Sequence, residues 1–402
     1  MKNYIFLTNQ YLPKPGATGL CIHQLAKKLV ENGENVYTIC YADGDLAKEY
    51  DGVKVVKISI PSFLNDNQSA SNLKRKLQYS MSLWSKLIHL HDYPLRSNKL
   101  IDEYVNAVKK LLKRMKNATI IASYTPLEAV VAAAKIKKQY PDRVKIAYYS
   151  ADTLSNEQGD AGILPSAYRT KLGVKWEKKL FELYDKVFIM ECHKKYYFRR
   201  LNKFKNKYEI VSFPLLSKVN TTNGLKKGDK LSLVYAGSLY QQLRNPSILN
   251  KILVELSKTT EFDAIFLGGG DCEEIMKNAE KESKGAIKYL GMQPHDVAME
   301  YIAAADILLS IGNEESPMAP SKIYEYMSTG KPIIHIYTYE KDPCLLPLKS
   351  YKNALLVDAN SKPDIISISN FIEHRKTLEY ESVRINFKLS TPEYTIKMIE
   401  NM

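Results

Sequence analysis

At 402 residues the chain is too long for one ordinary α/β core, and an apolar content of 45% excludes wholesale disorder. The formal net charge is +14, and the excess sits in two segments of the first half. Ser71–Ile120 carries eleven Lys/Arg against three Asp/Glu, and Lys171–Glu209 carries twelve against five, so the remainder is near neutral. A field so localised favours an anionic partner, whether lipid headgroups, a pyrophosphate-bearing acceptor or nucleic acid, unless the lysines merely solvate helix faces.

Met1–Asn3 leads into only four apolar-type residues before Thr8, which is no signal-peptide shape and predicts a first strand over Tyr4–Thr8. Gly19–Asn32 follows as a helix with a stripe of Leu20, Ile22, Leu25, Leu29 and Val30, stopped by Gly33. Strands are predicted at Asn35–Tyr41 and Val53–Ile58, and helices at Leu73–Leu90 and Asn98–Lys116. Strands at Ala118–Ser123, Val144–Ser150, Lys186–Met190 and Glu209–Phe213 complete a first, doubly wound domain over 1–215. Polar, aperiodic residues 216–230, with Asn223-Gly224 and Gly228-Asp229, predict a linker.

The pattern then restarts. Leu231–Tyr235, Ala264–Leu267, Ile287–Leu290, Ile307–Ser310, Pro332–Ile336 and Ala354–Val357 predict six strands with helices between, a second doubly wound domain over 231–390. Asp364–His374 is helix-like, and 391–402 forms one more short helix whose packing the sequence leaves open. No apolar run is long enough to cross a bilayer. The five cysteines, Cys21, Cys40, Cys192, Cys272 and Cys344, are scattered and form no Cys-x-x-Cys. Buried free thiols in a reducing cytoplasm are the expectation. Ligands of parallel sheets bind outside the carboxyl ends of the strands, so two such sheets are expected to face a central cleft.

Four motifs fall at those ends. Gly16-Ala17-Thr18-Gly19 lies between strand and helix and admits a phosphate or sugar oxygen, or is a plain turn; it lacks the full dinucleotide-binding spacing. Tyr235-Ala236-Gly237-Ser238-Leu239-Tyr240 precedes Arg244-Asn245-Pro246, where a guanidinium suits a diphosphate or stays on the surface. Leu267-Gly268-Gly269-Gly270-Asp271 and Leu290-Gly291-Met292 end two further strands. Ser316–Pro332 is the most informative. Pro320 and Ser321 signal a helix start and Gly330 a stop. Ile323 and Met327 share a face, and Lys322 and Glu325 share another. The alternative is an ordinary capped helix with a surface ion pair.

Lys322–Pro332 resembles the signature helix of retaining GT-B glycosyltransferases of family 4, in which a glutamate precedes a small-residue turn and Gly-x-Pro; Glu325, Gly330 and Pro332 match. The resemblance extends more loosely over nearly the whole chain. It implies an α/β, GT-B fold, and a retaining, metal-independent hexosyltransferase that takes a nucleotide-sugar, commonly UDP-linked, as co-substrate and needs no cofactor. It implies that Arg244 and Lys322 neutralise the departing diphosphate, that Glu325 holds the ribose, and that amides near Ser321 touch the phosphates. The Gly19, Gly237-Ser238 and Gly269 loops would border the donor, and backbone around Met292 would line the base pocket. The family's first glutamate falls at Pro317 here, and Glu315 is the candidate replacement. No obvious metal-binding Asp-x-Asp is seen.

On the acceptor side Asp152, at the end of Tyr148-Tyr149-Ser150, is the candidate group to position a hydroxyl or take its proton, against a turn role. His23 and His193 are expected to be structural. The expected acceptor is a lipid-linked or cell-surface glycan, with the basic first domain resting on an anionic membrane surface at the cytoplasmic face. A sugar-nucleotide epimerase of GT-B fold and a noncatalytic binder of anionic polymers are the alternatives. No nucleic-acid module appears, so nucleic acid is not the expected partner.

Overall fold

The computed structural model describes residues 1–13, 15–41, 46–60, 93–156, 165–219, 228–314 and 321–402. They divide into two units, Met1–Pro214 with Pro392–Met402, and Leu215–Thr391. The expected helix at Leu73–Leu90 lies outside the described residues, as do Glu315–Pro320 and part of the expected linker.

In the first unit the chain runs β1 (Asn3–Leu7), α1 (Ala17–Glu31), β2 (Asn35–Cys40), β3 (Glu49–Tyr50), β4 (Val53–Lys57), α2 (Asn98–Leu112), β5 (Ala118–Tyr124), α3 (Leu127–Gln139), β6 (Val144–Ser150), α4 (Ser166–Leu183), β7 (Lys186–Met190), α5 (Lys194–Arg200) and β8 (Tyr208–Val211). The strands form one sheet in the order β3-β4-β2-β1-β5-β6-β7-β8. Every pair is parallel except the short β3–β4 hairpin, which the sequence reading does not contain. The strands read as nearly continuous apolar runs because helices cover both faces. Ser97 caps α2 by accepting from the Leu100 N–H, and the buried Glu128 of α3 accepts from the Arg96 and Ser97 N–H groups at the start of α2.

The second unit runs β9 (Leu231–Ala236), α6 (Ser247–Leu256), β10 (Phe262–Leu267), α7 (Glu273–Glu282), β11 (Ile287–Gly291), α8 (His295–Ala304), β12 (Ile307–Ile311), α9 (Lys322–Ser328), β13 (Ile333–Tyr337), α10 (Leu345–Tyr351), β14 (Ala354–Asp358), α11 (Ile365–Glu373) and α12 (Tyr380–Asn386). Its six strands are all parallel, in the order β11-β10-β9-β12-β13-β14. Asp364 caps α11 by accepting from Ile366 and Ser367. Residues 215–219 are not a bare connection: Leu216 is fully buried and its N–H donates to Ser390.

The last helix, α13 (Pro392–Glu400), returns to the first unit and packs on α1 and β8. Ile396 and Ile399 are each 1% exposed, and Lys28 of α1 pairs with Glu393. Truncating Ile396 to Ala therefore leaves a cavity in the first unit, and a loss of about 2–4 kcal/mol is expected. Trp176 lies in this unit, whereas the sequence 215–391 contains no tryptophan, so tryptophan fluorescence during urea unfolding does not read the second unit.

Candidate functional site

The sheet of the second unit reverses its winding between β9 and β12, and the carboxyl ends of those neighbouring strands form its switch point. Arg244 stands there. Its Nε donates to Asn313 Oδ1 at 2.6 Å, tying the loop after β9 to the loop after β12. Asn313 is 1% exposed, and the Glu314 N–H donates to the Leu243 carbonyl, so the two loops are joined twice. The Tyr235 hydroxyl, which donates to the Ser238 carbonyl at 3.2 Å, also lies within reach of the guanidinium. Arg244 is thus half-buried and oriented from behind, the arrangement that holds a cation ready for an anion.

The glycine loops around it pack backbone on backbone. A Cβ on Gly268 would lie 1.8 Å from the Gly237 carbonyl oxygen, and one on Gly270, at φ +141°, would lie 1.7 Å from that of Leu239. Three hydrogen bonds lock the pair: Gly237 N–H to Leu267, Leu239 N–H to Gly269, and Asp271 N–H to Leu239. Loop-on-loop packing is therefore sufficient reason for Gly268 and Gly270. Gly269 faces the Met292 side chain, whose Cε is 3.1 Å from where a Cβ would sit, while Met292 itself is 77% exposed.

The helix α9 follows the expected pattern on its buried face, with Ile323 and Met327 at 2% and 0% exposure. Between them Tyr326 reaches the end of β9: its hydroxyl accepts from the Ala236 N–H at 2.6 Å. Lys322 Nζ lies 2.5 Å from Glu325 Oε2, and the Glu325 side chain is 6% exposed, so the pair is more buried than a surface ion pair. Ser321 departs from expectation. It sits in the right-handed helical region and makes no side-chain capping bond, so the helix start rests on backbone geometry rather than on its hydroxyl. Gly330, at φ +71°, ends the helix, and a side chain there would strike the Leu378 carbonyl. Glu315 lies outside the described residues.

In the first unit Gly19 is buried in α1, and a Cβ on it would lie 2.0 Å from the Gln10 carbonyl. Close packing of the helix on the loop after β1 accounts for that glycine. His23 is structural: Nδ1 meets the Tyr11 hydroxyl at 2.7 Å and Nε2 meets Asp51 at 2.9 Å.

Beyond the ends of β6 and β7 lies a dense polar cluster. Asp152 Oδ1 accepts from the Thr153 N–H at 2.7 Å and stands 3.6 Å from His193 Nε2. Burial pushes His193 down to about 4, so it is neutral near pH 7. Beneath them Glu177 of α4 is wholly buried and accepts from the Leu154 N–H and the Tyr196 and Tyr197 hydroxyls. Burial pushes its carboxyl up to about 7. Sequence reasoning missed Asn313, Tyr326 and Glu177. Each acts through a contact more than 20 residues away in the chain, and only the Gly312-Asn313 turn at a strand end is a local signal.

Four of the five free cysteines are buried and Cys192 is exposed. Among the described residues no helix is long and apolar enough to cross a membrane, and no three His, Cys, Asp or Glu side chains converge as a metal site.

No protein-family model matches the sequence, and no curated protein matches it. Solved structures do. All of this chain aligns with 94% of a sucrose-phosphate synthase from Thermosynechococcus elongatus, at 11% identity and a TM-score of 0.58. All of it aligns with 98% of the catalytic domain of starch synthase IV from Arabidopsis thaliana, bound to ADP and acarbose, at 12% and 0.58. All of it also aligns with 99% of a UDP-GlcNAc 2-epimerase from Neisseria meningitidis bound to UDP-GlcNAc, at 13% and 0.58. Identities this low speak for architecture alone. With its two doubly wound, mostly parallel sheets, the chain has the GT-B fold.

Proposed function

We propose that the protein transfers a hexosyl group from a nucleoside-diphosphate sugar, UDP-linked by preference, to a lipid-linked or polysaccharide acceptor, with retention and without a metal. The observation that carries the reading is Arg244, a cation braced by Asn313 at the switch point of the second unit. Leaving-group charge is the main electrostatic demand of such a transfer, and fixed cations meet it without reorganisation. Arg244 and Lys322 take the diphosphate. Lys322 exchanges its pairing with Glu325 for the phosphates, which leaves the Glu325 carboxylate to accept from ribose hydroxyls. Amides near Ser321, and the loops of Gly237-Ser238, Gly269 and Met292, border the nucleotide. Asp152 positions the acceptor hydroxyl and Glu315 the donor sugar. The ADP-bound and UDP-GlcNAc-bound neighbours support a nucleotide ligand.

The epimerase neighbour favours a second reading, in which the same donor is isomerised without an acceptor. The two separate on product analysis: UDP-sugar alone returns its epimer in one case, and is stable or slowly hydrolysed in the other.

The membrane side of the proposal has its own support. Lys194, Lys195, Arg199 and Arg200 of α5, with Lys203 and Lys205 just beyond, are exposed around Phe198, which is itself 38% exposed. Cations ringing an exposed aromatic suit an anionic lipid interface.

Arg244→Ala and Lys322→Ala are each expected to lower kcat/KM about 10²-fold with folding intact by circular dichroism; full activity in both would refute the site. Reversing Lys194, Lys195, Arg199 and Arg200 to Glu is expected to weaken flotation with phosphatidylglycerol vesicles at least about 100-fold, at roughly 1 kcal/mol per charge. Unchanged flotation would remove the membrane surface from the proposal.

A further inference from the structure

Glu177 is one of the few acids within the basic stretch Lys171–Glu209, and it is 0% exposed. One turn before it on α4 lies Gly173, where a Cβ would come within 2.7 Å of the Leu154 carbonyl carbon and the Ser155 nitrogen. The segment 150–155 therefore lies directly on this face of the helix. Glu177 Oε1 takes the Leu154 N–H at 3.0 Å, and Oε2 takes the Tyr196 hydroxyl at 2.7 Å. The Tyr197 oxygen lies 3.3 Å from Glu177 Oε1 and 2.5 Å from Ser150 Oγ, and Ser150 Oγ lies 2.7 Å from the Asp152 carbonyl oxygen, so two hydroxyl protons are shared along this chain of oxygens. One buried carboxyl thus holds both ends of the turn that displays Asp152.

The groups facing it are Asp152 from the turn, Tyr148 from β6, Tyr196 and Tyr197 from α5, and Tyr208 from β8. Asp152 is the more exposed of the two carboxyls, at 27% for its side chain, and its Oδ1 accepts from the Thr153 N–H. Of these two neighbouring carboxyls Glu177 is the wholly buried one, and burial, with the nearby Asp152, favours its protonated form.

We propose that Glu177 is a positioning residue that works as a neutral acid, latching the 150–155 turn and so fixing Asp152 on the acceptor side. The inference rests on the assignment of Asp152 to the acceptor. In its ionised form Glu177 accepts from the Leu154 N–H and from the Tyr196 and Tyr197 hydroxyls; protonation reverses the Tyr196 bond alone, the acid proton then being donated to the Tyr196 oxygen. When that proton is lost to water, a charge appears where no surface is exposed. It also opposes the Asp152 carboxylate, and water is drawn in under the turn.

Three variants test this: wild type, Glu177→Gln as the permanent neutral mimic, and Glu177→Ala. Sugar transfer at pH 6 is expected to fall at least 10-fold in Ala, chiefly as a raised KM for acceptor, and to be rescued in Gln. Wild type is expected to lose acceptor affinity as pH rises above 7, whereas Gln does not. Equal alkaline limbs, or failure of Gln to rescue, overturn the proposal.

Two readouts need no catalysis. The unfolded carboxyl titrates near 4.5 and the folded one near 7, so wild type loses stability relative to Gln as pH rises between those values. The Tm gap is expected to widen by several degrees from pH 5 to 7 and to level off above 8; a flat gap overturns the proposal. Amide exchange at Leu154, corrected for intrinsic rate, is expected to accelerate above pH 7 in wild type only, and equal protection overturns the latch. Should these two hold while wild type transfers no sugar, the proposed function fails and the latch stands.

Discussion

Parallel strands joined by helical crossovers all leave a sheet by the same edge. That constraint gathers residues distant in sequence onto one rim and places the weakest coverage where the winding reverses. In the second unit the rim between β9 and β12 holds Arg244, Asn313 and the hydroxyl of Tyr326. In the first, the rim beyond β6 and β7 holds Asp152, His193 and Glu177. Neither set would meet if one strand ran the other way.

The two rims are built on different physics. That of the second unit is stiffened by backbone: two glycine loops interlock through carbonyls and amides, and the tyrosine of α9 is hydrogen-bonded to the last residue of β9. Its cation stays half-buried and positioned. The first unit instead uses buried side-chain hydroxyls and a carboxyl, which makes its rim sensitive to protonation. A neutral His193 and a high Glu177 both follow from burial.

Much of the fold was legible because strands covered on both faces are plain apolar runs; the β5, β6, β7 and β9 to β14 segments lie within a residue or two of their expected places. The β3–β4 hairpin was not, since two residues carry no periodicity. The helix α3 had no predicted bounds, and with most of its residues buried it lacks an amphipathic stripe. The site was legible where charge and glycine coincide in one stretch, as at Arg244 and Lys322–Gly330. It was illegible where a side chain acts across the fold. Asn313, Tyr326 and Glu177 bond to partners 69, 90 and 23 residues away, and apart from the Gly312-Asn313 turn such pairings leave no local trace. The glycines taught the opposite lesson. Gly19, Gly268 and Gly270 stand where a ligand loop would need them, yet carbonyl oxygens of the protein itself already forbid a side chain there.

The return of α13 to the first unit makes the second unit, in chain terms, an insertion. In chain order residues 215–391 come before the helix that covers α1 and β8, so the second unit is complete in sequence before the first is. Until Ile396 and Ile399 are synthesised, the apolar surface they cover stays open. The first unit, begun before the second, is thus completed after it, and without α13 the face of α1 and β8 is an apolar surface of the kind through which incompletely folded chains associate.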